Sequence, residues 1–227
     1  MNPDSTPKSP PRGDEPRQSK GQASRASILL TAAKLATTKG LDGLSIGDLA
    51  AEVGMSKSGL YAHFKSKEEL ELATIETAAG IFEVEVLQPS AQAKAGIARL
   101  WALVDAFLSH LERRVFPGGC FFAAVASELD TRPGPARDRV VTVLERWLSL
   151  FQECVRDAQA LGEIDPTAEV LQTTFEVQAM LLAGNFQFVM TNDPSRLALA
   201  RKGVENVLAR VAVKEAQKRK RPARGAS

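Results

Sequence analysis

Residues 45–67, SIGDLAAEVGMSKSGLYAHFKSK, constrain the fold more than any other stretch of this chain. Ser45 stands where a side-chain oxygen can accept the backbone N–H groups left unpaired by a helix's first turn. Ile46, Leu49, Ala50 and Val53 then recur at helical spacing, so one face is apolar. Gly54 follows at once, and a glycine can take positive φ and end the helix without a Cβ clash. Met55 supplies an apolar plug to the turn. Ser56 or Ser58 caps a second helix whose buried face is Leu60 and Phe64, which leaves Lys57, Ser58, Tyr61 and His63 pointing outward. Ser66 with Glu69 forms a capping box for a third helix starting at Lys67. Two short helices joined by a tight turn are built to lay the second in the major groove of a duplex, so double-stranded DNA is the expected partner.

The order of these elements resembles the N-terminal domain of the TetR family of bacterial regulators. The resemblance covers residues 25–72. It takes in the apolar-periodic helix from Ser27 to Gly40, then Ser45, Leu49-Ala50, Gly54-Met55-Ser56, Leu60-Tyr61, His63-Phe64 and Lys67. Ala36 departs from the pattern, since the family usually places a large aromatic there. The resemblance implies phosphate contacts for Tyr61 and His63, a homodimer, and a small-molecule effector that binds the helical body and releases DNA.

Charge supports the division into a DNA-facing head and a body. The net charge is only +2, but residues 17–67 carry eight Lys/Arg against three Asp/Glu, whereas residues 68–209 carry twelve against twenty. A basic head on an acidic body presents one end to a polyanion and keeps the other away from it. No apolar run approaches the ~20 residues of a membrane span, and the polar, Pro-rich N-terminus has no secretory h-region. Cys120 and Cys154 make no disulfide framework. A cytoplasmic protein is the expectation.

The organisation reads as all-α, with about nine helices. Residues 1–22 are a Pro-rich basic arm expected to be disordered. Residues 23–66 form the helix-turn-helix domain, residues 67–213 a helical regulatory and dimerisation domain, and residues 214–227, with Lys218-Arg-Lys-Arg221, a disordered basic tail. Pro89 is expected to end the helix that starts at Lys67. Asp165-Pro166 and Asp193-Pro194 each resemble a cap with proline at the first helical position, opening helices at 167–191 and 194–213.

Within this plan the candidate DNA contacts are Arg25, Ser45, Ser56, Lys57, Ser58, Gly59, Tyr61, His63 and Lys67. Lys57 can donate to guanine O6 and N7 or meet only phosphate. Gly59 allows either close approach to DNA or a tight packing site. Segment 167–191 is apolar most of the way round, which buries it on more than one side. Phe175, Gln178, Ala179, Leu182 and Phe186, with Leu197, Val204 and Leu208 of the last helix, are the candidate dimer interface; the alternative is that both helices lie inside one protomer. Trp101, Phe107, Phe121, Phe122, Trp147, Phe151 and Phe175 are candidates to line an effector pocket, although core packing explains each of them equally. No cofactor or metal site is expected, because His63 and His110 have no neighbours at ligand spacing. A DNA-binding regulator or architectural protein without an effector is the alternative function. A helical enzyme using Cys120 with His110 as base is a third, and catalysis is not expected.

Overall fold

A computed structural model describes residues 17–213, with side chains from Ser24 onward. The fold is all-α. The described residues form α1 (Arg17–Lys39), α2 (Ile46–Glu52), α3 (Lys57–Tyr61), α4 (Lys67–Phe82), a π-helical turn (Glu83–Leu87), α5 (Gln88–Ala91), α6 (Ile97–Glu112), α7 (Phe121–Leu129), α8 (Pro135–Ala160), α9 (Val170–Thr191) and α10 (Ser195–Val211). Because α4, the π-turn and α5 run without a break, this amounts to nine helical rods among the described residues. Residues 1–16 of the expected arm and the basic tail 214–227 lie outside the described residues.

Three boundaries differ from the sequence reading. α1 begins at Arg17 rather than after residue 22, because no proline lies between Pro16 and Lys39 and a helix once nucleated propagates cheaply into such a run. Pro89 does not end the helix that starts at Lys67. The Gln88 N–H bonds to the Glu83 carbonyl, five residues back, and this widened turn lets the rod pass the proline and continue to Ala91. The Asp165-Pro166 pair does not start α9. Asp165 instead closes a turn, accepting from the backbone and hydroxyl of Thr167, while its own N–H donates to Val211 O at 2.8 Å. That turn pins the end of α10 through the isolated bridge between Ile164 and Ala212, so α9 begins only at Val170. Asp193 does open α10, accepting from the Ser195 N–H at 2.9 Å.

One core runs from head to body. In the head Ile28, Ala32, Leu49, Leu60, Phe64 and Leu70 are buried together. Ile75, Ala78 and Phe82, at helical spacing down α4, carry the same core into the body. There they meet Leu100, Val104, Phe107 and Leu111 of α6 and Val140, Trp147 and Phe151 of α8. No described helix is long and apolar enough to cross a membrane.

α9 has two apolar faces. Val177, Leu181 and Phe188 face the protomer's own core. Leu171, Phe175, Leu182, Phe186 and Met190 form an outward stripe between 58% and 70% exposed. Leu197, Val204 and Leu208, expected at the dimer interface, are instead buried within the protomer, where α10 packs along α9. Amphipathic spacing identifies an apolar face but not which neighbour covers it, and here the covalently adjacent helix does so.

Candidate nucleic-acid interface

The helix-turn-helix assembles through three serine caps. Ser45 Oγ accepts from the Asp48 N–H at 2.9 Å, Ser56 Oγ from Gly59 at 3.1 Å, and Ser66 Oγ from Glu69 at 3.0 Å. Gly54 sits at φ +67°, a left-handed conformation that a side chain would strain. It turns the chain so that the Met55 N–H reaches back to Ala50 O at 2.8 Å. The capping box at Ser66 is offset by one residue, since Glu69 Oε2 accepts from the Lys65 N–H rather than from Ser66.

With these caps in place, α3 has a definite inside and outside. Leu60 and Phe64 are each 1% exposed, while Ser56, Lys57, Ser58 and Tyr61 face solvent. Tyr61 is 57% exposed, unusual for a large aromatic side chain on a well-packed domain. α3 itself stops at Tyr61, so His63 lies beyond its last turn and is half-buried. Lys57 lies with its terminal carbon and nitrogen against Gly47 of α2, a contact that the chain's order does not reveal. Gly59 packs close to Ser56 Oγ and the Met55 methyl, so its missing side chain already serves the cap. Ser56 Oγ is likewise engaged, both by the Gly59 N–H and by Ser58 Oγ at 3.1 Å.

Two cations expected at the duplex have partners within the protein. Arg25 stacks over the Phe64 ring at 4.9 Å and lies 3.6 Å from Glu69. Lys67 Nζ donates to the carboxylate and backbone oxygen of Asp42 and lies 3.6 Å from Glu71. The hydrogen bond to Asp42 raises the Lys67 pKa, and the bonds from Lys67 and then Arg132 lower that of Asp42. Lys65, absent from the sequence-based set, is an exposed cation between α3 and α4.

The head is held to the body at two further points. Glu128 on α7 accepts from the backbone N–H groups of Leu41 and Asp42, each at 2.7 Å. Thr37 on α1 accepts from the Gly118 N–H at 3.0 Å. Gly118 lies so close to the Thr37 carbonyl that any Cβ would overlap it at 1.9 Å, so only glycine fits. The same loop continues to Cys120, whose N–H donates to Asn185 of α9 at 2.9 Å.

The aromatic candidates divide. Phe107, Phe122, Trp147 and Phe151 belong to one cluster, with Phe121 alongside Phe122. Phe82 of α4, which the sequence reading missed, is its hub, meeting Phe107, Phe122 and Trp147 at centroid distances of 5.1–6.4 Å. Its place on the Ile75-Ala78-Phe82 stripe was the available signal. Phe175 and Trp101 do not join the cluster. Phe175 is 67% exposed on the outward stripe of α9, and Trp101 lies half-buried on α6 beneath Arg201 at 4.6 Å. A cavity of ≈ 70 Å³ opens between α4 and α8, lined by Ala79, Phe82, Leu87, Arg139, Arg146 and Trp147 among others. Cys120 is buried, and burial raises its pKa; burial pushes Cys154 up to about 11. Neither environment favours a thiolate.

A capped, outward-facing second helix on an all-α chain, joined to a larger helical body, defines a helix-turn-helix regulator. The family model described as "Bacterial regulatory proteins, tetR family" matches residues 28–74, and "Tetracyclin repressor-like, C-terminal domain" matches residues 96–204. The transcriptional regulator AcuR of Cereibacter sphaeroides is 26% identical over 171 residues, covering 73% of this chain and 78% of that protein. The crystal structure of a TetR transcriptional regulator from Chloroflexus aurantiacus is 28% identical, with a TM-score of 0.79 over 86% of this chain and 98% of that one. AibR, solved in complex with isovaleryl coenzyme A and operator DNA, shares the fold at 22% identity and a TM-score of 0.65, covering 83% of this chain and 97% of that one. The chain belongs to the TetR family and is a transcriptional regulator.

Proposed function

We propose that this protein is a cytoplasmic, homodimeric repressor that binds a palindromic operator and is released by a small-molecule effector. The observation that carries the reading is the orientation of α3, with Leu60 and Phe64 buried beneath it while Lys57, Ser58 and Tyr61 stand in solvent. Side chains at the start of such a helix reach base edges. We assign base contact to Lys57 and Ser58, and phosphate contact to Tyr61, His63 and Lys65. Arg25 and Lys67, with Ser45 at the mouth of α2, reach the backbone only by sharing or leaving their present partners. Residues 23–66 form the DNA-binding head, and residues 67–213 the regulatory and dimerisation domain.

The exposed stripe of α9 suits a second copy of the same chain. Five large apolar side chains along one helix face make a surface that a solitary protomer would leave wet. A single helix-turn-helix makes too few contacts for tight binding, whereas two place their recognition helices about 34–36 Å apart in successive major grooves. AibR, whose complex contains both a ligand and DNA, supports effector control in this fold. The effector acts by binding better to one conformation of the body and thereby changing the spacing of the two heads. Catalysis plays no part in this reading.

Selection of bound duplexes from a random pool tests the proposal. The expected product is an inverted repeat whose half-sites are about one helical turn apart, centre to centre, or a multiple of it. Recovery of no symmetric motif, or no retention of duplexes at low ionic strength, overturns it.

A further inference from the structure

The interior of the body contains a histidine that the fold does not use. His110 on α6 is 1% exposed, and among the described residues neither Nδ1 nor Nε2 has a hydrogen-bond partner. Its ring meets Phe82 edge-on at 6.0 Å and Phe116 at 5.7 Å. Buried polar groups are ordinarily paired, and an unpaired one calls for a missing partner. Burial holds His110 neutral at physiological pH, with a pKa lowered to about 4, so one nitrogen is a donor and the other an acceptor.

The cavity between α4 and α8 supplies the approach. Phe82 and Trp147 line it, and the Phe82 ring also meets His110. Two parallel ion pairs flank the approach, Glu76 with Arg139 and Glu83 with Arg146. At ≈ 70 Å³ the space holds part of one aromatic ring; a cavity of about 150 Å³ is known to admit benzene. A ligand therefore has to move Phe82 and part α4 from α8, and α4 is the helix that carries the head.

We propose that His110 and the aromatic cluster around Phe82 form the effector site, and that the effector is a small, planar, uncharged molecule bearing a hydroxyl or carbonyl oxygen. Its ring packs edge-to-face among Phe82, Phe107, Phe122 and Trp147, the arrangement Phe82 already adopts with each of the other three. Its oxygen bonds to His110. A charged group is disfavoured there, because burying it among the Phe82 and Phe116 rings beside His110 costs more than burying an uncharged oxygen does. This rests on the effector-controlled reading above and specifies the effector's chemical class.

The test uses the full chain with Trp101→Phe, which leaves Trp147 as the sole tryptophan. Phenol, toluene and benzoate are titrated without DNA while Trp147 fluorescence is followed by red-edge excitation. Phenol should quench saturably and bind about tenfold tighter than toluene, the ratio one hydrogen bond supplies. Benzoate should bind more weakly than phenol. His110→Leu should equalise phenol and toluene while holding or raising the melting temperature, because it removes an unpaired buried polar group. His110→Gln, which keeps a donor and an acceptor, should retain the preference for phenol and guards against a leucine variant that fails to fold. No saturable quenching by phenol, tighter binding of benzoate, or an unchanged phenol-to-toluene ratio in His110→Leu overturns the proposal. Failure here leaves the duplex selection unaffected, and failure of that selection leaves these titrations interpretable.

Discussion

The carboxylate of Glu128 caps the backbone of Leu41, a residue 87 positions earlier in the chain. With its second oxygen on Asp42, and with Arg132 one turn on bonding the Asp42 carboxylate at 2.8 Å, the end of α7 grips the loop between α1 and α2. α7 is therefore tied directly to the loop that leads into the helix-turn-helix. Hydrogen bonds from backbone N–H groups to a carboxylate are worth more than neutral ones. Glu128→Ala should cost about 2 kcal/mol in chemical denaturation. It should also weaken the effector's ability to release operator DNA, measured as the shift in duplex affinity on adding effector. An unchanged shift would remove α7 from the pathway.

Lys57 and Tyr61 separate the two kinds of DNA contact. Tyr61→Ala should weaken binding to all duplexes alike. Lys57→Ala should in addition blur preference for the selected operator over a mutated one, by about 1–3 kcal/mol at the base it reads. Equal losses on specific and random duplex from both substitutions would contradict this division of roles. The check is competitive binding at fixed salt concentration.

Lys67 is held by Asp42, so its charge is partly spent before DNA arrives. Asp42→Asn should free it and tighten non-specific binding, steepening the fall of log affinity with log salt by about one unit of phosphate charge. If Lys67 serves only the joint between head and body, Asp42→Asn will lower thermal stability and leave the salt slope where it was.

The outward stripe of α9 and the inward face of α10 make opposite predictions. Leu182→Glu or Phe186→Glu should leave the helical signal and melting of the protomer intact, yield monomers in analytical ultracentrifugation, and abolish tight operator binding. Leu208→Ala, in the protomer core, should destabilise folding by about 2–5 kcal/mol.

His110 sets a pH dependence. Its folded pKa is depressed to about 4 by burial, with Glu85 and Arg113 acting on it in opposite directions. The unfolded chain, with a pKa near 6.5, binds the proton first, so stability attributable to this group falls as pH drops below that value. Between pH 7 and pH 5 the loss should be about 2 kcal/mol in urea unfolding. His110→Leu should flatten that part of the profile; a leucine variant that follows the parent curve would assign the dependence to other groups.

The local devices were legible from residue order alone. Serine caps at 45, 56 and 66 and the left-handed Gly54 each rest on interactions within four or five residues, where chain connectivity fixes the geometry. The apolar stripes of α6 and α8 were legible for the same reason. Tertiary structure decided what lies opposite each stripe. It turned Phe175 away from the aromatic cluster, buried Leu197, Val204 and Leu208 within the protomer, and placed Phe82 at the cluster's centre. It also paired Lys67 with Asp42 and Glu128 with Leu41 across 25 and 87 positions. Periodicity records which side chains leave water, but the partner they meet depends on how separate helices cross, and that is set by the packing of the whole chain.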